Sequence, residues 1–168
     1  STIVVAPCQA SLQVVSTIAN RFSVLVGREK WIPRMHSNIV EYGYEQNLAS
    51  FRSLNMKVSE FQKDPEATKQ IMIEQAEKAI KDDHAEAIIL GCTVEFGFYE
   101  KLQQIVNVPV IDVTVASVKM CETYARMKSQ FNWKPSRVWS CEAPSEEEIK
   151  SLNLFEKPAP IGNRIVAY

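Results

Sequence analysis

The sequence lacks most of what would send a chain to a membrane, a nucleic acid or a metal. Its 168 residues carry 19 Lys and Arg against 20 Asp and Glu, a net charge of −1. No field of one sign therefore draws it to nucleic acid or to an anionic membrane. The longest apolar runs, such as Ala87–Leu90, are far too short to span a bilayer. No charged stretch followed by an apolar one opens the chain, so the expected location is the cytoplasm. The four cysteines, Cys8, Cys92, Cys121 and Cys141, form no Cys-x-x-Cys pair, and only His36 and His84 could join them as nitrogen ligands. No metal is expected, and the thiols are read as reduced. There is no internal repeat at solenoid spacing and no low-complexity tract.

What is present is a globular pattern. The hydrophobic fraction is 46% and the charged fraction 23%, and the length suits one ordinary domain. Short β-branched apolar runs alternate with longer helical patterns, the signature of βαβ units and a parallel sheet. Strands are expected at Ile3–Ala6, Phe22–Val26, Met56–Phe61, Ala87–Leu90 and Val108–Asp112, and helices at Gln9–Ala19, Ile32–Tyr42, Phe98–Val106 and Ala116–Met127. The clearest helix runs from Pro65 to Asp83, with Asp64 as N-cap and Ala67, Ile71, Ala76, Ala79 and Ile80 as its apolar stripe. The reading is a three-layer, flavodoxin-like α/β domain over 1–127, with a mainly parallel sheet of four or five strands. After Met127 prolines accumulate and periodicity fades, which gives an irregular tail over 128–168. Its one short helix is capped by Ser145, and Trp133, Trp139 and Phe155 are expected to pack on something.

The segment that points to chemistry is Ala87-Ile88-Ile89-Leu90-Gly91-Cys92-Thr93. A buried strand ends at a glycine and delivers a thiol to its carboxyl end, the edge where open α/β sheets bind ligands. The turn is expected to lead into a helix, so the N–H groups of Thr93 and Val94 can meet a carboxylate or oxyanion, and the same positive end favours thiolate. Such a thiolate can remove a proton next to a carbonyl or attack a carbonyl carbon. The plainer account is a small buried cysteine that ends a strand. Glu95 reads as an exposed helix-start carboxylate, and His84 as an end cap.

That segment, followed by Leu102 and Val108-Pro109-Val110-Ile111-Asp112, resembles the aspartate/glutamate/hydantoin racemase superfamily, nearest its hydantoin racemase branch. Arg21-Phe22-Ser23-Val24, Glu41-Tyr42-Gly43 and Ala116-Ser117-Val118-Lys119 agree in order and spacing. The resemblance implies an isomerase that needs no cofactor or metal and works with two cysteines facing each other across a substrate α-carbon. One thiolate takes the α-proton and the other thiol returns a proton to the opposite face. It implies that Cys92 is the second of that pair, with Gly91, Thr93 and Val94 shaping the anion pocket. Cys8, Gln9 and Gly27 are the further candidates for contact with a small-molecule substrate. Alignment through Arg21–Val24 puts Cys8 after the strand that starts the second half of such a protein, not at the first catalytic cysteine. The chain is therefore read as lacking an N-terminal half, with a self-associating face or a partner fragment completing it.

One departure weakens the substrate assignment. The family often has threonines after the second strand, where this chain has Val26 and Gly27. Arg28 or Lys30 could offer charge to an anion there, although a solvated charged turn is the plainer account. Two other readings remain: a one-cysteine decarboxylase or isomerase of the same superfamily, and an inactive small-molecule-binding remnant.

Overall fold

The computed structural model describes residues 2–153. One compact unit spans Ile3–Trp133. Its elements are α1 (Pro7–Ile18), β1 (Phe22–Val26), α2 (Ile32–Glu41), β2 (Leu48–Ser53), α3 (Pro65–Asp83), β3 (Ala87–Leu90), α4 (Tyr99–Val106), β4 (Val110–Asp112) and α5 (Val113–Phe131). The four strands form one parallel sheet in the order β2-β1-β3-β4. The α/β class and three-layer arrangement read from the sequence are present.

The alternation of side chains along each strand divides the core in two. Phe22, Val24 and Val26 of β1 and Ala87 and Ile89 of β3 face α1, α2 and α5, where Leu12, Val15, Ile39 and Ala116 meet them. Leu25, Ile88 and Leu90 face the other way, against Met72, Ala76 and Ala79 of α3 and Leu102 of α4. Every residue of β1 and β3 is buried, so truncating Ile88 to Ala costs about 2–5 kcal/mol.

Local chemistry sets the boundaries. Asp64 accepts the Ala67 N–H at 3.0 Å and caps α3, with Pro65 in the first turn. His84 ends that helix in the left-handed region at φ 59°. The stripe α3 buries is Thr68, Met72, Ile73, Ala76 and Ala79, rotated from the expected one. Thr68 is accommodated because its hydroxyl donates to the Phe61 carbonyl at 3.0 Å.

Two expected strands are absent. Met56–Phe61 contains a single 3-10 turn, Val58–Glu60, and the strand lies earlier, at Leu48–Ser53. That strand is an edge, half-buried throughout, with Ser50, Arg52 and Ser53 in it, so it lacks the apolar run used to find strands. Asn55, at φ 53°, ends the regular strand, although the Met56 N–H still donates to the Gly27 carbonyl at 2.7 Å. Ile3–Ala6 pairs with no strand among the described residues, and Val4 is 86% exposed. It leads instead into α1, which starts at Pro7.

Residues 134–153 fall in a second unit. They hold α6 (Glu146–Ser151), where the Ser145 hydroxyl accepts the Glu148 N–H at 3.1 Å. Trp139 is 90% exposed rather than packed, and Trp133, in the first unit, is 62% exposed with its ring 5.1 Å from that of Phe131. Phe155 and the rest of the expected tail lie outside the described residues. No helix of the described residues is long and apolar enough to cross a membrane.

Candidate functional site

The strand order places a crevice. From β1 the chain steps outward to β2, then crosses back to β3 on the other side, so β1 and β3 are neighbours whose following loops diverge. Ligands of open α/β sheets bind at that point, beyond the carboxyl ends of the strands. The residues that emerge there are Val26-Gly27-Arg28 from β1 and Gly91-Cys92 from β3. They line a cavity of about 390 Å³ whose walls also include Cys8, Trp31, Met35, Asn38, Met56 and Phe61. That volume is in the range of sites for small organic molecules.

Gly91 is the pivot. Its N–H donates to the Leu25 carbonyl at 2.9 Å, extending the β1–β3 ladder one residue past the strand. A Cβ at this position would lie 2.5 Å from that oxygen and 2.9 Å from the Met35 methyl, so the close approach requires glycine. Cys92 follows in extended conformation and is half-buried at the cavity wall. The expected helix start is one 3-10 turn, Thr93–Glu95, and the α-helix itself begins only at Tyr99. Gly97, at φ 88°, separates this turn from α4, which begins within one residue of the expected Phe98. Asp112 holds this turn in place. One oxygen accepts the Gly97 N–H at 3.0 Å, while the other accepts from Thr114 at 2.9 Å and caps α5.

Cys8 is the second residue of α1 and lines the same cavity as Cys92. Burial raises its thiol above the ordinary range, which keeps it protonated at neutral pH. Gly27 also faces the cavity, where a Cβ would come 3.0 Å from the Met56 carbonyl and 3.3 Å from the Phe61 ring. Thr93 lies on a smaller adjoining hollow of about 90 Å³ that it shares with Cys8 and Gly91. Gln9 and Val94 line neither space; Val94 packs toward the α3–α4 core, and its carbonyl accepts from Gln62 at 2.9 Å.

Glu95 corrects the sequence reading outright. It is fully buried rather than exposed, and neither carboxyl oxygen completes a hydrogen bond among the described residues. Burial first, and the neighbouring Asp112 charge second, push it well above the usual carboxylate range; the backbone of Cys92 and Gly91 offsets only part of this. Its burial follows from the 3-10 turn, which points the third residue inward instead of along a solvent-facing helix. His84 caps α3 through its backbone, as its position suggested. His36 lies in α2 and contacts Glu45 at 3.3 Å, away from the cavity.

The contribution of α2 was missed. Arg34, Met35 and Asn38 of α2, with Trp31 just before it, all line the cavity, and their spacing is that of one helical face. That periodicity was available in the sequence, but the segment was read only as a helix. No three His, Cys, Asp or Glu side chains converge as metal ligands among the described residues.

Comparison with known proteins agrees with this geometry. Over 119 residues the chain is 35% identical to the hydantoin racemase of Rhizobium meliloti, covering 71% of this chain and 49% of that one. It is 31% identical over 153 residues to the hydantoin racemase of Pseudomonas sp. (strain NS671), covering 90% of this chain and 60% of the relative. The chain thus spans about half to three-fifths of the length of these curated relatives. The crystal structure of allantoin racemase from Pseudomonas fluorescens superposes with a TM-score of 0.76 at 29% identity, over 82% of this chain and 57% of that one. The Asp/Glu/Hydantoin racemase family model matches residues 3–121. A parallel sheet whose β1–β3 crevice presents Cys92 beside an obligatory glycine is thus joined to a match over most of the sequence, and the chain belongs to the Asp/Glu/hydantoin racemase family.

Proposed function

We propose that this chain forms the Cys92 wall of a cofactor-independent, cysteine-based racemase. It acts at the carbon next to a carbonyl of a small hydantoin or amino-acid-like substrate. The observation that carries this reading is the position of Cys92, at the end of β3 in a cavity of substrate size. The Cys92 thiolate removes the α-proton from one face, and the electron pair moves into the carbonyl to give an enolate. Backbone N–H groups beside the cysteine stabilise the developing oxyanion. A second thiol returns a proton to the opposite face, which inverts the centre without a net change in composition.

Cys8 favours a particular variant of this reading, because it lines the same cavity and its thiol is held in the protonated form. A protonated thiol suits the donor step. In this variant both sides of the proton exchange belong to one chain.

The test follows a single enantiomer of a 5-substituted hydantoin by chiral chromatography. Racemisation by the wild-type protein that falls about 10²–10⁴-fold in Cys92→Ser supports the reading, that range being typical for loss of a general acid–base group. Racemisation unchanged by the substitution overturns it. A product of one handedness, formed with loss of CO2 from a malonate, points instead to a one-cysteine decarboxylase. The same assay on Cys8→Ser decides whether Cys8 is the donor.

A further inference from the structure

The charges around the cavity are unbalanced. Arg28 and Arg34 both line it, and no Asp or Glu does. Neither guanidinium is bonded to a carboxylate among the described residues; the ion pairs there involve His36, Arg52, Lys57, Lys69, Lys119 and Lys150. Arg28 leaves β1 directly after Gly27, and Arg34 stands on the cavity-facing side of α2, so the two approach from different elements. Apart from Asn38 and the two cysteines the remaining wall is apolar, with Trp31, Met35, Met56 and Phe61 as its large members. Gly27 is part of this apolar wall, since its bare Cα lets the Phe61 ring approach the cavity.

A neutral ring would use none of this charge. Guanidinium groups bind carboxylates through paired, charge-assisted hydrogen bonds, and a site with two of them and no counter-charge favours an anion. An apolar wall of this size simultaneously rewards a large hydrophobic substituent. We propose that Arg28 and Arg34 are specificity-determining residues, and that the cavity takes a small organic carboxylate bearing an aromatic or branched apolar side chain in preference to an uncharged hydantoin. This rests on the Cys92 site as read above and names its substrate class. The carboxylate pairs with the arginines, the side chain lies against Trp31 and Met35, and the α-carbon between them faces the thiol wall.

The experiment compares three probes on the full chain by ligand-observed NMR titration: N-carbamoyl-phenylalanine, 5-benzylhydantoin and malonate. The first two share the benzyl group and differ in charge; the third is anionic without an apolar arm. N-carbamoyl-phenylalanine is expected to bind about tenfold or more tightly than either of the others. Arg28→Gln with Arg34→Gln removes that advantage, and Trp31→Ala weakens the two benzyl probes together. All three positions are exposed, and an unchanged melting temperature confirms that the variants are folded. Equal or tighter binding of 5-benzylhydantoin overturns the proposal, as does a double arginine variant that keeps the preference, or no binding of the carboxylate at all. Deuterium uptake at the α-carbon, read in the same tubes in D2O, keeps the two claims apart. Uptake without carboxylate preference refutes the substrate class and leaves the racemase reading standing; preference without uptake does the reverse.

Discussion

The Gly91 N–H and the Leu25 carbonyl meet at 2.9 Å, one residue before the thiol of Cys92. This bond draws the end of β3 against β1 and fixes where the cysteine emerges. A methyl group at residue 91 would lie 2.5 Å from the Leu25 oxygen, and a strand carbonyl cannot swing aside as the Met35 methyl can. Gly91→Ala is therefore expected to destabilise the protein by about 1–3 kcal/mol, as overpacking does. Urea unfolding checks this: the midpoint falls while the slope stays the same. An unchanged midpoint would show that the strands part without strain.

Glu95 makes stability depend on pH with a definite sign. Its carboxyl is raised above the usual 4.5 chiefly by burial. The folded state therefore holds a proton that the unfolded state releases. The stability from this group is fully present below about pH 4.5 and is lost as pH rises through the folded-state value. Glu95→Gln keeps the shape and cannot ionise. Thermal melts at a series of pH values should show the variant gaining on the wild type as pH rises. Parallel curves would mean that Glu95 ionises freely in the fold.

Asp83 behaves in the opposite sense. Burial alone would raise its carboxyl, but the hydrogen bonds from Arg52 and Ser50 outweigh that and hold it below its ordinary 3.8. Arg52 makes two contacts to it of 2.7 Å each, joining β2 to the end of α3. The stability from this contact is present above about pH 3.8 and lost as pH falls through the folded value. Arg52→Met should cost about 1 kcal/mol at neutral pH, since both side chains keep some contact with water. The cost should shrink in acid, where the wild type loses the same contact; a cost independent of pH would assign it to packing instead.

The parts of the fold that the sequence disclosed are those where local pattern and final environment coincide. Ala87–Leu90 is apolar because it is covered on both faces, and Asp64-Pro65 marks a helix start by its own hydrogen bonding. The Cys92 turn was visible for the same reason, as a buried run that ends at a glycine. β2 was not visible, because Ser50 and Arg52 are polar for a tertiary purpose: Ser50 pairs with Ser23 at 2.8 Å, and both Ser50 and Arg52 bond Asp83. Glu95 was misjudged because a carboxylate three residues past a strand reads as solvent-facing. Only the 3-10 turn held by Asp112 turns it inward. Arg34 and Trp31 reach the cavity by a helical spacing that was legible, but whose significance depends on which face of α2 meets the β1–β3 crevice.

If the Cys92 thiol moves the α-proton, solvent deuterium must enter at the substrate α-carbon. In D2O, the protein with a single enantiomer of a 5-substituted hydantoin or an N-carbamoyl amino acid should exchange the α-hydrogen for deuterium, followed by proton NMR. Cys92→Ala should lower this rate by about 10² or more, while Cys121→Ala, on an exposed face of α5, leaves it unchanged. Exchange that persists in Cys92→Ala at the wild-type rate would show that the Cys92 thiol does not move the proton.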